Sequence, residues 1–580
     1  MKWQTAPLYL YARTLSHLKA RQIFYLLLHR AFGSRAVFWK RRGPVNRRAG
    51  ISIQAPIAAL SGGGEPYEFR FLNVSRRFEG AVDWTSANTS RLWRYNLHYF
   101  DYILESRRSP ESVSHLIWEW IQSNPAGRGE GWEPYPLSLR VVNWIKLFLR
   151  TDFSRYVQPE WLDSLYDQTC WLERNIEYHL LANHLLKNGK ALLFAGAFFS
   201  GGRADRWLRK GLRILAEQVR EQILSDGGHI ERSVMYHAIA VEDCLDSLNL
   251  ISTSAPALTF DEVELLRSKA CKALDFLHSI RRPDGCMPLF NDAAFGVAPS
   301  FGALAKYASR LISYEPPPEV PEGLRVLQYE SSGYFVIQNG KRDMLIIDCG
   351  DLGPSYQLGH GHCDILSYEL FSDGRPLIVD SGVYDYDNSD MRRYVRSTRA
   401  HNTAMIDGCE QSEIWHVFRV ARLARPGKAT VRKVDESNAW FWGSHNGFAR
   451  LPGAPVHGRR IEYQVQEGWT IVDSFRGVGE HRVESFIHLH PDLTARQAGR
   501  SISLVETNGN VAAVIEVRSD VNMAMESGWY CPEFGKRVAN TVILLSSSEL
   551  LPFDLEYCVR KPRHAAAKTV DIPGSASAWC

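Results

Sequence analysis

Apolar residues recur at every third and fourth position through much of residues 90–315, as in SLRVVNWIKLFLR (138–150), HLLKNGKALLFAGAFF (184–199) and ELLRSKACKALDFLHSI (264–280). That is the period of an α-helix, and short Gly, Asp or Pro breaks separate the segments, so the pattern predicts a layer of about eight to twelve helices. The character changes at YEPPPEVPEG (314–323), whose prolines cannot continue a helix and read as a linker. After it come short β-rich runs: GYFVIQNGKRDMLIID, PLIVDSG, YQVQEGWTIVDSF and TVILLSS. QNGK (338–341) predicts a hairpin, because Asn-Gly readily takes the positive φ angles of a type I′ turn. Helices first and strands afterwards predict a multi-domain α plus β protein, a helical domain stacked on a mostly antiparallel sandwich, and exclude a doubly wound α/β fold. The boundaries are a basic N-terminal segment (1–85), a helical domain (86–315), a Pro-rich linker (316–325), a β domain (326–565) and a tail (566–580). At 580 residues the chain exceeds one ordinary core, and each domain is expected to be stable alone.

Composition adds little to this picture: 45% hydrophobic and 23% charged residues describe a soluble globular chain with a net charge of +4. The charge distribution adds more, because residues 1–50 carry eleven Lys and Arg and no Asp or Glu. Such an arm suits an anionic membrane face, an acidic polymer or plain solvent. Its apolar stretch IFYLLL (23–28) is too short to span a bilayer, and Arg13, His17, Lys19 and Arg21 interrupt any signal-peptide core. The expectation is a cytoplasmic protein with no transmembrane segment and with peripheral membrane contact through its basic N-terminus; the periplasm is the alternative. Ten scattered cysteines without a C-x-x-C pair predict reduced thiols. The glycine-rich SGGGEP (61–66) and GHG (359–361) lack the strand-then-helix setting of phosphate loops, and there is no zinc-finger spacing or aromatic-basic interleaving. Nucleotides and nucleic acids are therefore not expected ligands.

Two groups of residues carry candidate chemistry. In the second half, His360 and His362 are two residues apart, so a regular strand would place them on one face. Asp380 follows the turn SDGR (372–375), which would bring it back beside them, and His401 lies beyond an Arg-rich loop. Two imidazoles and a carboxylate on neighbouring strands make a good Zn²⁺ shell, although a His-x-His pair is also common as surface or hydrogen-bonding histidine. In the first half, Asn183 and His184 open an apolar helical run, and Tyr236 and His237 follow Arg232. Asn183 also reads as a helix N-cap, Tyr236 as a packing residue and His237 as a donor to a carbonyl. Asn, His, Tyr and Arg are nonetheless the types needed to neutralise a uronate carboxylate and move the proton α to it. Asn96, His98, Trp132 and Tyr135 offer stacking and hydrogen bonding for sugar, or packing for the helices.

The segments NHLLKNGKALLFAGAFF, DGGHIERSVMYH, GHGHCDILSYEL, LIVDSGVYDY and RSTRAHNT, taken in this order, resemble the heparinase II/III family of polysaccharide lyases, which includes alginate-lyase-like members. The resemblance implies an incomplete (α/α) toroid followed by an antiparallel β-sandwich, with the active site in the cleft between them. It implies Asn183, His184, Tyr236 and His360 as catalytic residues and His362, Asp380 and His401 as ligands of a structural divalent metal, by ligand type Zn²⁺. Arg232, Tyr384, Asn96, His98, Trp132 and Tyr135 would line the substrate. The implied reaction is β-elimination on an acidic polysaccharide, such as a bacterial exopolysaccharide or capsule. Tyr236 would act as acid, and as base for one C5 configuration if cations such as Arg232 lower its pKa, with His184 or His360 as base for the other. Lys187 departs from members that carry glutamate there, and RLWRYNLHYFDY (91–102) is similar to members encoded with polysaccharide synthesis. Two other readings compete: a glycoside hydrolase using carboxylates such as Glu231, Glu242 and Asp243, and a non-catalytic scaffold that binds carbohydrate.

Overall fold

The computed structural model describes residues 7–32, 45–57, 67–104, 108–254, 260–318 and 322–562. The glycine run 61–66, part of the proline linker and the tail 566–580 lie outside the described residues. Among the described residues nine α-helices run from Arg91 to Ile312, matching the helical period of the sequence. Their starts are chemically marked. The Ser90, Ser109 and Ser300 hydroxyls accept the backbone N–H groups of Trp93, Ser112 and Ala303, and Pro110, Pro134 and Pro159 occupy first-turn positions where no N–H is needed.

Helix Ala182–Phe198 is buried on nearly all sides, which explains why HLLKNGKALLFAGAFF is apolar almost throughout. It packs backbone to backbone on Gly202–Gln222. A Cβ on Gly196 would meet the Leu208 nitrogen at 2.2 Å, and one on Gly211 the Leu193 nitrogen at 2.3 Å. The N-terminal segment is also structured: helices Leu8–Ser16 and Ala20–Phe32 and a hairpin of Glu68–Phe71 with Val74–Arg77 precede the toroid. No described helix is long and apolar enough to cross a membrane.

The strands beyond Leu324 form three larger antiparallel sheets. A five-stranded meander runs in chain order from Leu324–Tyr329 to Arg375–Ile378, beside an eight-stranded and a four-stranded sheet. The predicted hairpin lies at QNGK, but Asn339 pairs with Asp343, so three residues form the loop instead of the two of a type I′ turn. SDGR is the true two-residue turn: Ser372 pairs with Arg375, and Asp373 and Gly374 both have positive φ.

The meander is buried on both faces. Val336, Met344, Ile346 and Phe371 join the toroid core, while Phe335, Ile337, Leu345 and Ile347 pack into the sandwich. The strict two-residue alternation sorts these side chains to opposite faces, so one hydrophobic core runs from the toroid into the first sheet. The two halves therefore share a core. Among the described residues eight cysteines are free thiols.

Candidate active site

A cavity of about 240 Å³ opens between toroid and β domain, with Asn96, Tyr135, Lys187 and Tyr236 on the helical side and Tyr386 and Phe534 on the other. Asn183 sits inside the first turn of Ala182–Phe198, past two residues of positive φ, Leu181 and Ala182, and so is not its N-cap. The Glu231 carboxylate takes that role, accepting the Asn183 backbone N–H at 3.0 Å and its amide Nδ2 at 3.0 Å from both oxygens. With Nδ2 turned to Glu231, the amide Oδ1 points away from it. His184, next along, has Nδ1 at 3.1 Å from Glu177 and its ring 4.5 Å from that of Tyr135. Burial pulls the His184 pKa down, but the Glu177 carboxylate outweighs it and the net direction is up.

His360 comes from the other wall. Its Nδ1 is 2.8 Å from Asp292 Oδ2, its Nε2 is 3.7 Å from Glu231, and its ring lies 4.2 Å from the ring of Tyr236. A carboxylate on Nδ1 fixes the tautomer that leaves Nε2 as the proton acceptor. The Tyr236 hydroxyl is 3.1 Å from that of Tyr386, which lies 3.5 Å from His360 Nδ1. Burial pushes the Tyr236 phenol well above its usual range, and Tyr386 and Tyr135 push the same way. Arg232 does not counter this: its guanidinium donates to the Ser331 carbonyl at 2.6 Å. Burial therefore favours the protonated form of the Tyr236 phenol, and Arg232 is not the cation that lowers its pKa.

Asp292 is the hub. Besides His360 it accepts His362 Nε2 at 2.9 Å and both terminal nitrogens of Arg392, one of them at 2.9 Å. Burial would raise this carboxyl, but Arg392 and the two imidazoles hold it well below the usual range. His360 and His362 do not lie on a strand, as the spacing suggested; they occupy an irregular turn before Tyr368–Ser372. Gly361 between them allows the turn, since a Cβ there would meet the Leu352 carbonyl oxygen at 2.1 Å.

Residues 70–308 match the heparinase II/III N-terminus, and residues 322–570 match the heparinase II/III-like C-terminal region. The chain belongs to the heparinase II/III family. The curated heparin-sulfate lyase of Bacteroides thetaiotaomicron is 26% identical over 74% of this chain and 64% of its own length. That of Pedobacter heparinus is 25% identical over 50% of this chain and 47% of its own. The chain thus spans about half to two thirds of these relatives. A crystal structure of heparinase III superposes with a TM-score of 0.67 at 19% identity, covering 83% of this chain and 79% of that one, and shares its toroid and sandwich.

Within this heparinase II/III fold, the metal residues expected from sequence fall behind His360. His362, Asp364 and His401 bring one ligand atom each to within 4.8 Å of one another, all buried. His362 Nδ1 and His401 Nε2 have no hydrogen-bond partner, and such orphaned imidazole nitrogens facing a carboxylate suit a divalent cation. Asp380 stands one step back, its Oδ2 2.8 Å from His401 Nδ1, as a carboxylate that orients a ligand histidine. Burial raises Asp364 to about 6 and, with Asp364 beside it, pushes Asp348 well above the usual range; a cation would relieve both.

The remaining predicted residues divide. Asn96 and Tyr135 line the cavity. His98 and Trp132 do not: His98 accepts the Trp120 indole N–H within the aromatic core, and Trp132 donates to the Asn124 carbonyl. Tyr384 packs beside Met391 and Val395 under Arg537. Aromatic residues at helical spacing serve packing and sugar stacking equally well in sequence, and only the fold separates the two. Sequence reasoning missed Asp292, Tyr386, Glu177, Asp364 and Arg392. The one available signal was Asn291-Asp292, a polar pair inside the apolar PLFNDAAFG (288–296).

Proposed function

We propose that this protein is a polysaccharide lyase that cleaves a uronic-acid-containing polysaccharide by β-elimination. The observation that carries the reading is the pairing of Tyr236, kept protonated by burial, with His360, whose Nδ1 is held by Asp292, on facing walls of one cleft. The heparin-sulfate lyases among its relatives support the same chemistry. His360 Nε2 takes the C5 proton, the electron pair forms the C4–C5 double bond, the C4–O4 bond breaks, and the Tyr236 hydroxyl protonates the leaving oxygen. The Asn183 amide is given to Glu231, which leaves a cationic His184 to offset the charge gathering on the uronate carboxylate.

His362, Asp364 and His401 would hold a divalent cation, Zn²⁺ by their donor types, with Asp380 orienting His401. Bound there, it would supply rigidity: His362 also contacts Asp292, and Asp292 holds His360. The hydrolase reading loses two of its three carboxylates, since Glu231 engages Asn183 and Asp243 engages Lys187 and Lys190 at 2.7 and 2.8 Å.

The test is the ultraviolet absorbance of an unsaturated uronate during incubation with heparan sulfate, alginate and the acidic exopolysaccharide or capsule of the producing cell. Absorbance should rise on at least one polymer, and Tyr236→Phe should lower kcat on the order of 10²–10⁴-fold. Reducing ends released without absorbance would replace elimination by hydrolysis.

A further inference from the structure

Each of the two N-terminal helices docks on the protein by one face and turns apolar side chains outward on the other. In Leu8–Ser16 the docked face is Leu10, Arg13, Thr14 and His17. Arg13 pairs with Glu413 at 2.8 Å, Thr14 donates to the Val420 carbonyl at 2.9 Å, and His17 lies 2.7 Å from the Ala421 carbonyl. In Ala20–Phe32 the docked face is Gln22, Tyr25 and His29. The Gln22 amide donates to the Tyr356 carbonyl at 3.1 Å, Tyr25 packs on Tyr178, and His29 stacks on His179.

Tyr11 meets the Trp415 ring edge-on at 4.8 Å, and the opposite faces carry Leu8 and Leu15 on the first helix and Ile23, Phe24 and Leu27 on the second. These side chains stand in solvent: Leu8 is 86% exposed, Phe24 57% and Leu27 61%. Exposed apolar side chains in such density mark an interaction surface, since a lone exposed leucine means little but two whole helix faces do not arise from packing needs.

The charge around these faces selects the partner. Residues 1–50 contain eleven Lys and Arg and no acidic residue; among the described ones Arg13 and Lys19 are paired with Glu413 and Glu221, and Arg21 and Arg30 are exposed on the second helix. We propose that the two helices bind the interfacial region of an anionic lipid bilayer, with their apolar faces roughly 5–10 Å into the headgroup and acyl boundary and Arg21 and Arg30 at the phosphates. At nine and thirteen residues, neither helix is long enough to do more than lie in that plane.

The docking also ties the surface to the cleft. Leu8–Ser16 rests on the segment 413–421, whose Val417 carbonyl accepts Arg392 and Arg396 and whose Phe418 ring packs 6.2 Å from His360. A bilayer holding this helix therefore holds one wall of the site at a fixed distance from the membrane.

The experiment is flotation of the purified full chain with vesicles of phosphatidylcholine alone and of phosphatidylcholine with phosphatidylglycerol, at low and high salt. Binding is expected on the anionic vesicles, at least tenfold weaker on neutral ones, and weakened as salt is raised. The double variant Phe24→Asp with Leu27→Asp should lose it, while Val478→Asp, exposed elsewhere on the β domain, should keep it, both variants melting like the parent protein. Failure of the folded chain to float with anionic vesicles overturns the proposal, as does binding that survives the double variant. A dimer in solution that the double variant converts to monomer, without vesicle binding, would assign the face to a second copy of the chain instead.

Discussion

At the scale of single residues, the site is governed by which carboxylate faces which imidazole. Asp292 holds His360 by Nδ1 and at the same time neutralises Arg392, both buried. Asp292→Asn would let an amide N–H face Nδ1, move the proton to Nε2 and remove the base, lowering kcat on the order of 10²–10⁴-fold. It would also leave the buried Arg392 charge uncompensated, at about 3–5 kcal/mol of stability. Nitrogen chemical shifts of His360 report the tautomer change separately from the fall in melting temperature, and an unchanged tautomer would refute the first claim.

The second pair at this scale is His184 with Glu177. Because the folded pKa of His184 is raised above its usual 6.5, the stability this pair contributes is fully present below that pH and is lost as pH rises through the folded value. The same titration removes the cation from the cleft, so elimination should fall on the alkaline side. Glu177→Gln leaves burial to act without its counterweight, and the alkaline limb of kcat/KM should move to lower pH. A limb that stays in place would assign it to another group.

At the scale of elements, the segment 360–364, the residues after Arg375–Ile378 and the turn before Ala404–Ile406 meet around His362, Asp364, Asp380 and His401. None of these segments is regular at the ligand positions, so little secondary structure fixes them there. A cation bound to the folded state alone would stabilise it by about 2.7 kcal/mol at a hundred times its dissociation constant. Treatment with a chelator should therefore lower the melting temperature, and Zn²⁺ should restore it, with close to one ion per chain by elemental analysis. His401→Ala should abolish the difference between the two conditions. A melting temperature indifferent to chelation in the parent protein would remove the metal from the account.

At the scale of the whole molecule, the toroid and the first sheet share one core, and Asp292 from the helical half meets His360, His362 and Arg392 from the β half. Cutting the chain between the halves would expose apolar faces of the meander and leave buried charges unpaired. Calorimetry should thus show the toroid and the β domain unfolding in a single transition, and residues 322–562 expressed alone should fail to give a folded domain. Two separated transitions would show that the shared core does not couple them.

The helical period, the proline break and the β-rich runs determined the two-part architecture from sequence, because amphipathic periodicity is a local property and each segment states its own. The order of the histidine, asparagine and tyrosine segments carried the family resemblance, and with it the expectation of a site built from Asn183, His184, Tyr236 and His360. Sequence could not reach the groups that set their chemistry. Asp292 acts on residues 68 and 100 positions away, and nothing in its neighbourhood marks it except a polar pair among apolar side chains. Asp364 beside Asp380, or His98 packed in the core while Tyr135 lines the cavity, are choices between like residues at like spacing. Tertiary structure makes those choices, because burial, counter-charge and a free nitrogen exist only once the distant segments have met.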